Sequence, residues 1–190
     1  QLDPLRQKWE RDGDRWPGEV HSLQNRIGIH TGSMVTGNMG STHRMNYTMM
    51  GDTVNIAARL ESSAKQYGIY THISEETYGA VKDSMTVREL DKVIVMGRSE
   101  PVQTYELIAE KGQELGIYKE IIPQFHEALE LYKKQEWDKA QTVFESLEKL
   151  EDMFPGRKTN PSHVYSERCT HLKNNPPGED WDGVWILTSK

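Results

Sequence analysis

Apolar positions along the chain switch between two periods. Leu2, Leu5 and Trp9 recur at helical spacing until Gly13, Pro17 and Gly18 interrupt them, so residues 1–24 read as a broken helix. From Arg26 the texture changes: Arg26-Ile27-Gly28-Ile29-His30-Thr31 alternates and is β-branched, which predicts a strand. Gly32 permits a turn, and Met34-Val35-Thr36-Gly37-Asn38-Met39 reads as a strand returning from it, ended by Gly40-Ser41. A third strand is expected from Met45 to Met49. Gly51-Asp52 then opens a helix with Asp52 as its N-cap. Val54, Ala57, Ala58 and Leu60 give it an apolar face that continues to Ala64, and Gly68 is its stop. Ile69 to Ile73 reads as a strand. Ser74 opens a short helix, with Thr77 where a capping box has glutamate, so the cap is a simple one. Val87 to Val95 and Val102 to Leu107 are predicted strands around a turn at 97–101.

The texture shifts again after Glu110. Residues 117–134 and 137–151 are amphipathic helical patterns, 162–173 is a third helix, and 174–178 is a proline-rich spacer before an apolar tail. Leu131-Tyr132-Lys133-Lys134-Gln135-Glu136-Trp137-Asp138-Lys139-Ala140, followed by Phe144 and Leu147, resembles half of a tetratricopeptide unit, with Gln135 at the usual turn glycine. One unit cannot bury its own face. The pair is therefore expected to pack on the helix at 162–173, on the preceding domain or on a partner, as a cap or as a binding element. Trp181, Trp185 and Ile186 are costly to leave in water and are expected to dock.

Composition narrows the function classes. Hydrophobic residues make up 35% and the net charge is −6, which excludes a general nucleic-acid binder but not the binding of one nucleotide. The single cysteine, Cys169, cannot form an internal disulfide, so a reducing compartment is the expectation. No apolar run approaches the ~20 residues of a membrane helix. The first residue is Gln1, so the chain is expected to be cut from something longer.

The segment Tyr47-Thr48-Met49-Met50-Gly51-Asp52-Thr53-Val54-Asn55-Ile56-Ala57-Ala58-Arg59-Leu60-Glu61 resembles the signature of class III adenylate and guanylate cyclases. Arg26-Ile27-Gly28-Ile29-His30-Thr31-Gly32 is similar to the strand and turn before it in that family. Val95-Met96-Gly97-Arg98 and Glu100-Pro101-Val102-Gln103-Thr104-Tyr105-Glu106-Leu107 resemble its closing hairpin. The match spans residues 26–107. It implies closure of ATP on itself, the 3′-hydroxyl attacking the α-phosphorus as pyrophosphate leaves. Asn55 and Arg59, at i and i+4, project from one helix face. The resemblance gives Asn55 a ribose oxygen and Arg59 the phosphate charge, which its guanidinium holds without titrating. Thr48 falls where the family reads the base, and a threonine there favours adenine. Arg98 falls where a basic residue meets the terminal phosphates; Met96 stands where Lys or Arg is usual.

The resemblance also implies two metal ions, Mg²⁺ or Mn²⁺, held by two aspartates of the domain's first half. Nothing in residues 1–25 resembles their strands, and Asp12 and Asp14 are rejected as substitutes. Those aspartates are expected upstream of residue 1. Class III sites form between two catalytic domains, so a second cyclase domain is the expected partner, the metal acids coming from one and Asn55 and Arg59 from the other. The isolated chain is then expected to be inactive. Asp52 is read as a cap, not a ligand; His30, His43 and His72 lack metal-ligand spacing; Glu75 and Glu76 read as first-turn helix charges.

The expected fold is α+β: a partial, ferredoxin-like cyclase domain over 26–110 without its N-terminal strands, after a helical lead-in at 1–25. Tetratricopeptide-like helices at 111–175 and a spacer with its tail at 176–190 follow. Alternatives are a guanylate cyclase, or a cyclase-like domain used only for dimerisation and signalling. The expected location is cytoplasmic, including the inner face of a membrane for the longer protein.

Overall fold

The computed structural model describes residues 2–21, 23–94, 101–151 and 157–186. Helix α1 (Leu2–Asp12) runs into a 3-10 turn (Gly13–Arg15) and a short helix α2 (Gly18–His21), so the lead-in breaks where Gly13 and Pro17 interrupt the pattern. Then come β1 (Ile27–Ile29), β2 (Val35–Ser41), β3 (Arg44–Met50), α3 (Asp52–Tyr67) and β4 (Thr71–Ser74). Helix α4 (Glu75–Val81), β5 (Met85–Ile94) and β6 (Val102–Glu110) complete the α+β part. Helices α5 (Tyr118–Lys133), α6 (Trp137–Glu151) and α7 (Pro161–Asn174) precede a last short strand, β7 (Trp185–Ile186).

The main sheet has the order β1-β4-β6-β5-β7. β4–β6 and β6–β5 are antiparallel, whereas β1 runs parallel to β4 and β7 parallel to β5. The parallel β1–β4 pair is joined through α3, as parallel strands require a crossover. β1 stands at the sheet's edge, and its outer side has no partner strand among the described residues.

Two local readings are corrected. Met34–Met39 does not return onto β1: β2 pairs with β3 in a separate hairpin, Gly37 opposite Thr48 and Val35 opposite Met50. Alternation tells which residues share a face but not which strand is the neighbour, and the place beside β1 is taken by β4. Asp52 is not the N-cap either. Gly51 holds that position, no side chain caps it, and Asp52 is the first helical residue, where its charge complements the helix dipole. The other punctuation stands as read. Gly68 adopts φ 65°, and its N–H donates to the carbonyls of Ala64 and Lys65. The Ser74 hydroxyl accepts from the Thr77 N–H at 3.5 Å.

Helix α3 lies almost in backbone contact with β1. A Cβ on Gly28 would stand 2.2 Å from the Ala57 carbonyl oxygen and 2.3 Å from the Glu61 nitrogen. Glycine in the middle of a strand is here the condition for close helix–strand packing. Ile56, Leu60, Ser63, Ala64 and Tyr67 form the buried stripe of α3.

The three C-terminal helices make their own apolar core. Ile121, Phe125, Ala128, Leu129 and Tyr132 of α5 meet Trp137, Ala140, Phe144 and Leu147 of α6 and Tyr165, Cys169 and Leu172 of α7. The helix pair α5–α6 thus packs on α7, one of the expected solutions. Gln135 takes the left-handed conformation of the turn between them, at φ 62°, and its Nε2 donates to the Gly178 carbonyl at 2.7 Å. The aromatic tail docks. Trp181 sits 5.2 Å edge-on from Tyr132, and Trp185 lies opposite Val93 in the β5–β7 ladder.

This helical layer is joined to the sheet through buried charge. Arg88 of β5 is fully buried, donating Nε to Glu106 of β6 at 3.0 Å and Nη1 to Glu151 of α6. Arg157 reaches the other oxygen of Glu106 at 3.3 Å. Arg168 of α7 donates to Asp91 of β5 at 2.6 Å. A bulge in β5 between Glu89 and Asp91 turns both Leu90 and Asp91 inward, which simple alternation forbids. No helix among the described residues is long and apolar enough to cross a membrane.

Candidate functional site

Helix α3 carries two of the predicted residues. Asn55 is exposed and Arg59 is half-buried, on the flank of the stripe that faces the sheet. Four positions apart, they share a helix face. The start of the helix is tied down by Thr53, whose Oγ1 donates to the Ser33 carbonyl at 2.7 Å. Its middle rests on Gly28.

Arg59 Nη1 is shut off from solvent and has no hydrogen-bond partner among the described residues. A buried donor left so costs on the order of 1–3 kcal/mol, more for a charged group. An oxyanion placed against it removes that cost, and a guanidinium suits phosphate oxygens in particular.

Thr48 stands in β3 opposite Gly37 and is exposed. Beside it the Tyr47 hydroxyl donates to Thr36 Oγ1 at 3.3 Å. β3 leads into α3 through Gly51, so Thr48 is presented on the strand just before the helix. No hydrogen bond joins Thr48 to Asn55 or Arg59 among the described residues. The chain pairs Asn55 with Arg59 and leaves Thr48 on a neighbouring element. Arg98 and Met96 lie outside the described residues.

The described residues do not fit a metal pair: no group of three His, Cys, Asp or Glu is arranged to hold one. Asp12 closes α1 and accepts from Trp16 Nε1 at 3.4 Å, and Asp14 is exposed in the following turn. His30 Nδ1 lies 2.7 Å from Ser74 Oγ, and His72 Nδ1 lies 3.0 Å from Ser63 Oγ. The backbone N–H of His43 donates to Ser41 Oγ at 3.4 Å in the hairpin turn.

The hairpin leaves a large apolar surface in water. Met34, Val35, Met45, Tyr47, Met49 and Met50 are each at least half exposed, Tyr47 at 74%. The register puts Met45, Tyr47 and Met49 on one face of the hairpin and Val35 and Met50 on the other, and exposed apolar side chains grouped in this way mark an interaction surface. At the opposite end of α3, a cleft of about 180 Å³ is lined by Arg26, Lys65, Arg157 and Lys158 among others, and none of the predicted site residues borders it.

Sequence reasoning missed the group at the C-terminal end of α3. The Tyr67 hydroxyl donates to Asp91, and Arg168 Nη2 donates to Tyr67 Oη at 3.0 Å. Arg168 stacks over Trp185 at 4.5 Å. No local signal marks this group, because its three members come from α3, β5 and α7.

Comparison with known proteins gives the family. The model of the family described as "Adenylate and Guanylate cyclase catalytic domain" matches residues 10–109. The terminal-differentiation-specific adenylate cyclase of Dictyostelium discoideum is 32% identical over 152 residues, 78% of this chain and 7% of that protein. Guanylate cyclase beta of Plasmodium berghei is 36% identical over 87 residues, 46% of this chain and 3% of that protein. Among solved structures, the adenylyl cyclase CyaB from P. aeruginosa is 37% identical, with a TM-score of 0.48, covering 60% of this chain and 55% of that one. The chain thus spans a small fraction of the curated relatives it matches. With the family model covering more than half of it, the chain belongs to the adenylate and guanylate cyclase catalytic domain family.

Proposed function

We propose that this chain is the part of an adenylate cyclase that binds ribose and stabilises phosphate charge while ATP becomes 3′,5′-cyclic AMP and pyrophosphate. The observation that carries the reading is Arg59 Nη1, a buried cationic donor with no acceptor among the described residues, one helical turn from an exposed amide. In the reaction the ribose 3′-oxygen attacks the α-phosphorus, its proton passes to water, and the bond to pyrophosphate breaks on the opposite side. Asn55 orients the ribose so that attack is in line. Arg59 meets the negative charge that grows on the phosphate oxygens. Thr48 offers a hydroxyl to the adenine edge, and Arg98 is assigned to the terminal phosphates.

The exposed hairpin supports a second cyclase domain as partner, since its apolar side chains have no cover among the described residues. Two Mg²⁺ or Mn²⁺ ions would be held by carboxylates other than those described. Helices α5 and α6 are read as a tetratricopeptide-like pair, and the cytoplasm as the location. A guanylate cyclase is the second reading, favoured by the Plasmodium relative.

The test mixes this chain with a cyclase chain that carries the metal acids but lacks the Asn/Arg pair. Cyclic AMP is expected from ATP in preference to cyclic GMP from GTP. Asn55→Ala or Arg59→Ala should each lower kcat about 10²–10³-fold, equivalent to ~2.7–4 kcal/mol of barrier. Full activity in the double variant, or cyclic AMP from this chain alone with Mg²⁺ or Mn²⁺, would overturn the proposal. GTP preference would establish the second reading.

A further inference from the structure

Beyond the Thr53–Ser33 hydrogen bond at its exposed start, helix α3 is held against the body of the molecule at two places. Near its middle it bears on β1, where the space above Gly28 is closed by the backbone of Ala57 and Glu61. At its C-terminal end Tyr67 is fully buried and its hydroxyl is gripped from two sides. Arg168 of α7 donates Nη2 to that hydroxyl at 3.0 Å and Nη1 to Asp91 Oδ2 at 2.6 Å, and the hydroxyl itself donates to Asp91. The guanidinium also lies over the rings of Tyr67 and Tyr165, at 5.4 and 5.0 Å. Just beyond, a Cβ on Gly68 would stand 1.9 Å from the Thr159 carbonyl oxygen, so the end of α3 touches the backbone leading into α7. Val164 of α7 packs on Ala64, Tyr67, Ile69 and Leu90.

We propose that Arg168 is a positioning residue for Asn55 and Arg59, through which the C-terminal helices set the alignment of α3 over the nucleotide. The proposal rests on the cyclase reading of α3. A helix without internal Gly or Pro moves as a rod, and α3 has neither between Asp52 and Tyr67. At 1.5 Å per residue, the rest on Gly28 lies about 6 Å from Asn55 and about 12 Å from Tyr67. A swing of about 2 Å at Tyr67 then moves Asn55 by about 1 Å in the opposite direction. A misplacement of about 1 Å is enough to cost ~10²-fold in rate. Arg59, near the pivot, mainly turns. A lysine cannot reproduce the grip, because one ammonium does not span Asp91 and Tyr67 as a planar fork does.

The test compares the unsubstituted chain with Arg168→Met, Arg168→Lys and the double variant Asp91→Asn/Arg168→Met. The double variant guards against misfolding, since it leaves no unpaired buried carboxylate. Amide hydrogen exchange is read on residues 52–60, 71–74 and 161–174, and kcat and KM for ATP are read in the mixed assay described above. Residues 52–60 should exchange several-fold faster in Arg168→Met and in the double variant, with β4 unchanged. kcat should fall about 10²-fold with KM for ATP nearly constant, and Arg168→Lys should fall between. Faster exchange confined to 161–174, or a loosened 52–60 with undiminished kcat, would overturn the proposal. If the unsubstituted mixture makes no cyclic nucleotide, the cyclase reading fails. The exchange arm then decides alone: loosening of 52–60 supports the grip on α3, and its absence rejects it.

Discussion

At the scale of single residues, His72 shows how burial sets chemistry. Its ring is enclosed, with Nδ1 3.0 Å from Ser63 Oγ and 3.1 Å from the Leu60 carbonyl oxygen. Loss of solvent lowers its pKa from 6.5 to about 4, against the opposing pull of the Leu60 carbonyl and of Asp91 and Glu106. The folded protein therefore holds His72 neutral, while the unfolded chain takes up a proton below pH 6.5. Stability from this group is present above pH 6.5 and is lost as pH falls toward 4, by roughly 3 kcal/mol at most. Denaturant unfolding followed from pH 7.5 to pH 5 should show this decline, and His72→Asn should flatten it. An unchanged slope in that variant would exclude the assignment. The sequence places His72 correctly in a strand, but only the fold shows that both its flanks are covered.

At the scale of elements, α3 and β1 form the support of the site. Gly28→Ala puts a methyl group into the backbone of α3, so helix and strand must separate. Overpacking of this kind should cost about 3 kcal/mol or more. A lower thermal midpoint and weaker Asn55-dependent activity should appear together, and an unchanged midpoint would refute the close contact. The helix itself was legible because Val54, Ala57, Leu60, Ala64 and Gly68 keep one period and one stop. The destination of β2 was not, because a strand that pairs in a free hairpin and one that joins a sheet alternate alike. The β5 bulge was also hidden: adjacent Leu90 and Asp91 both point inward, against the period from which strands are read. In the site, Asn55 and Arg59 were singled out by the resemblance to the cyclase signature, with helical spacing adding only that they share a face, whereas the grip on Tyr67 joins α3, β5 and α7 and has no local signature.

At the scale of the whole molecule, the helical layer and the sheet share buried ions as well as apolar surface. Ending the chain at Glu110 would remove Glu151 from Arg88, Arg168 from Asp91 and Arg157 from Glu106. Breaking a buried pair from one side costs about 3–5 kcal/mol, comparable with the whole stability of a small domain. The shortened chain should lose its cooperative thermal transition and scatter light on warming. A transition at the same midpoint would mean that the layers are independent. The shift of texture after Glu110 marks where the separate core of the helical layer begins, but not the buried ion pairs that tie this layer to the sheet.

Glu106 has a further bearing on how this protein can change over generations. One of its oxygens serves Arg88 from a neighbouring strand, the other serves Arg157 from beyond α6, and Arg88 in turn takes up Glu151. Losing any member leaves a net charge in the interior, and loss of the shared carboxylate leaves Arg157 without its carboxylate and Arg88 with Glu151 alone. The four positions are thereby bound into one hereditary unit, to be kept or exchanged together across diverging lineages.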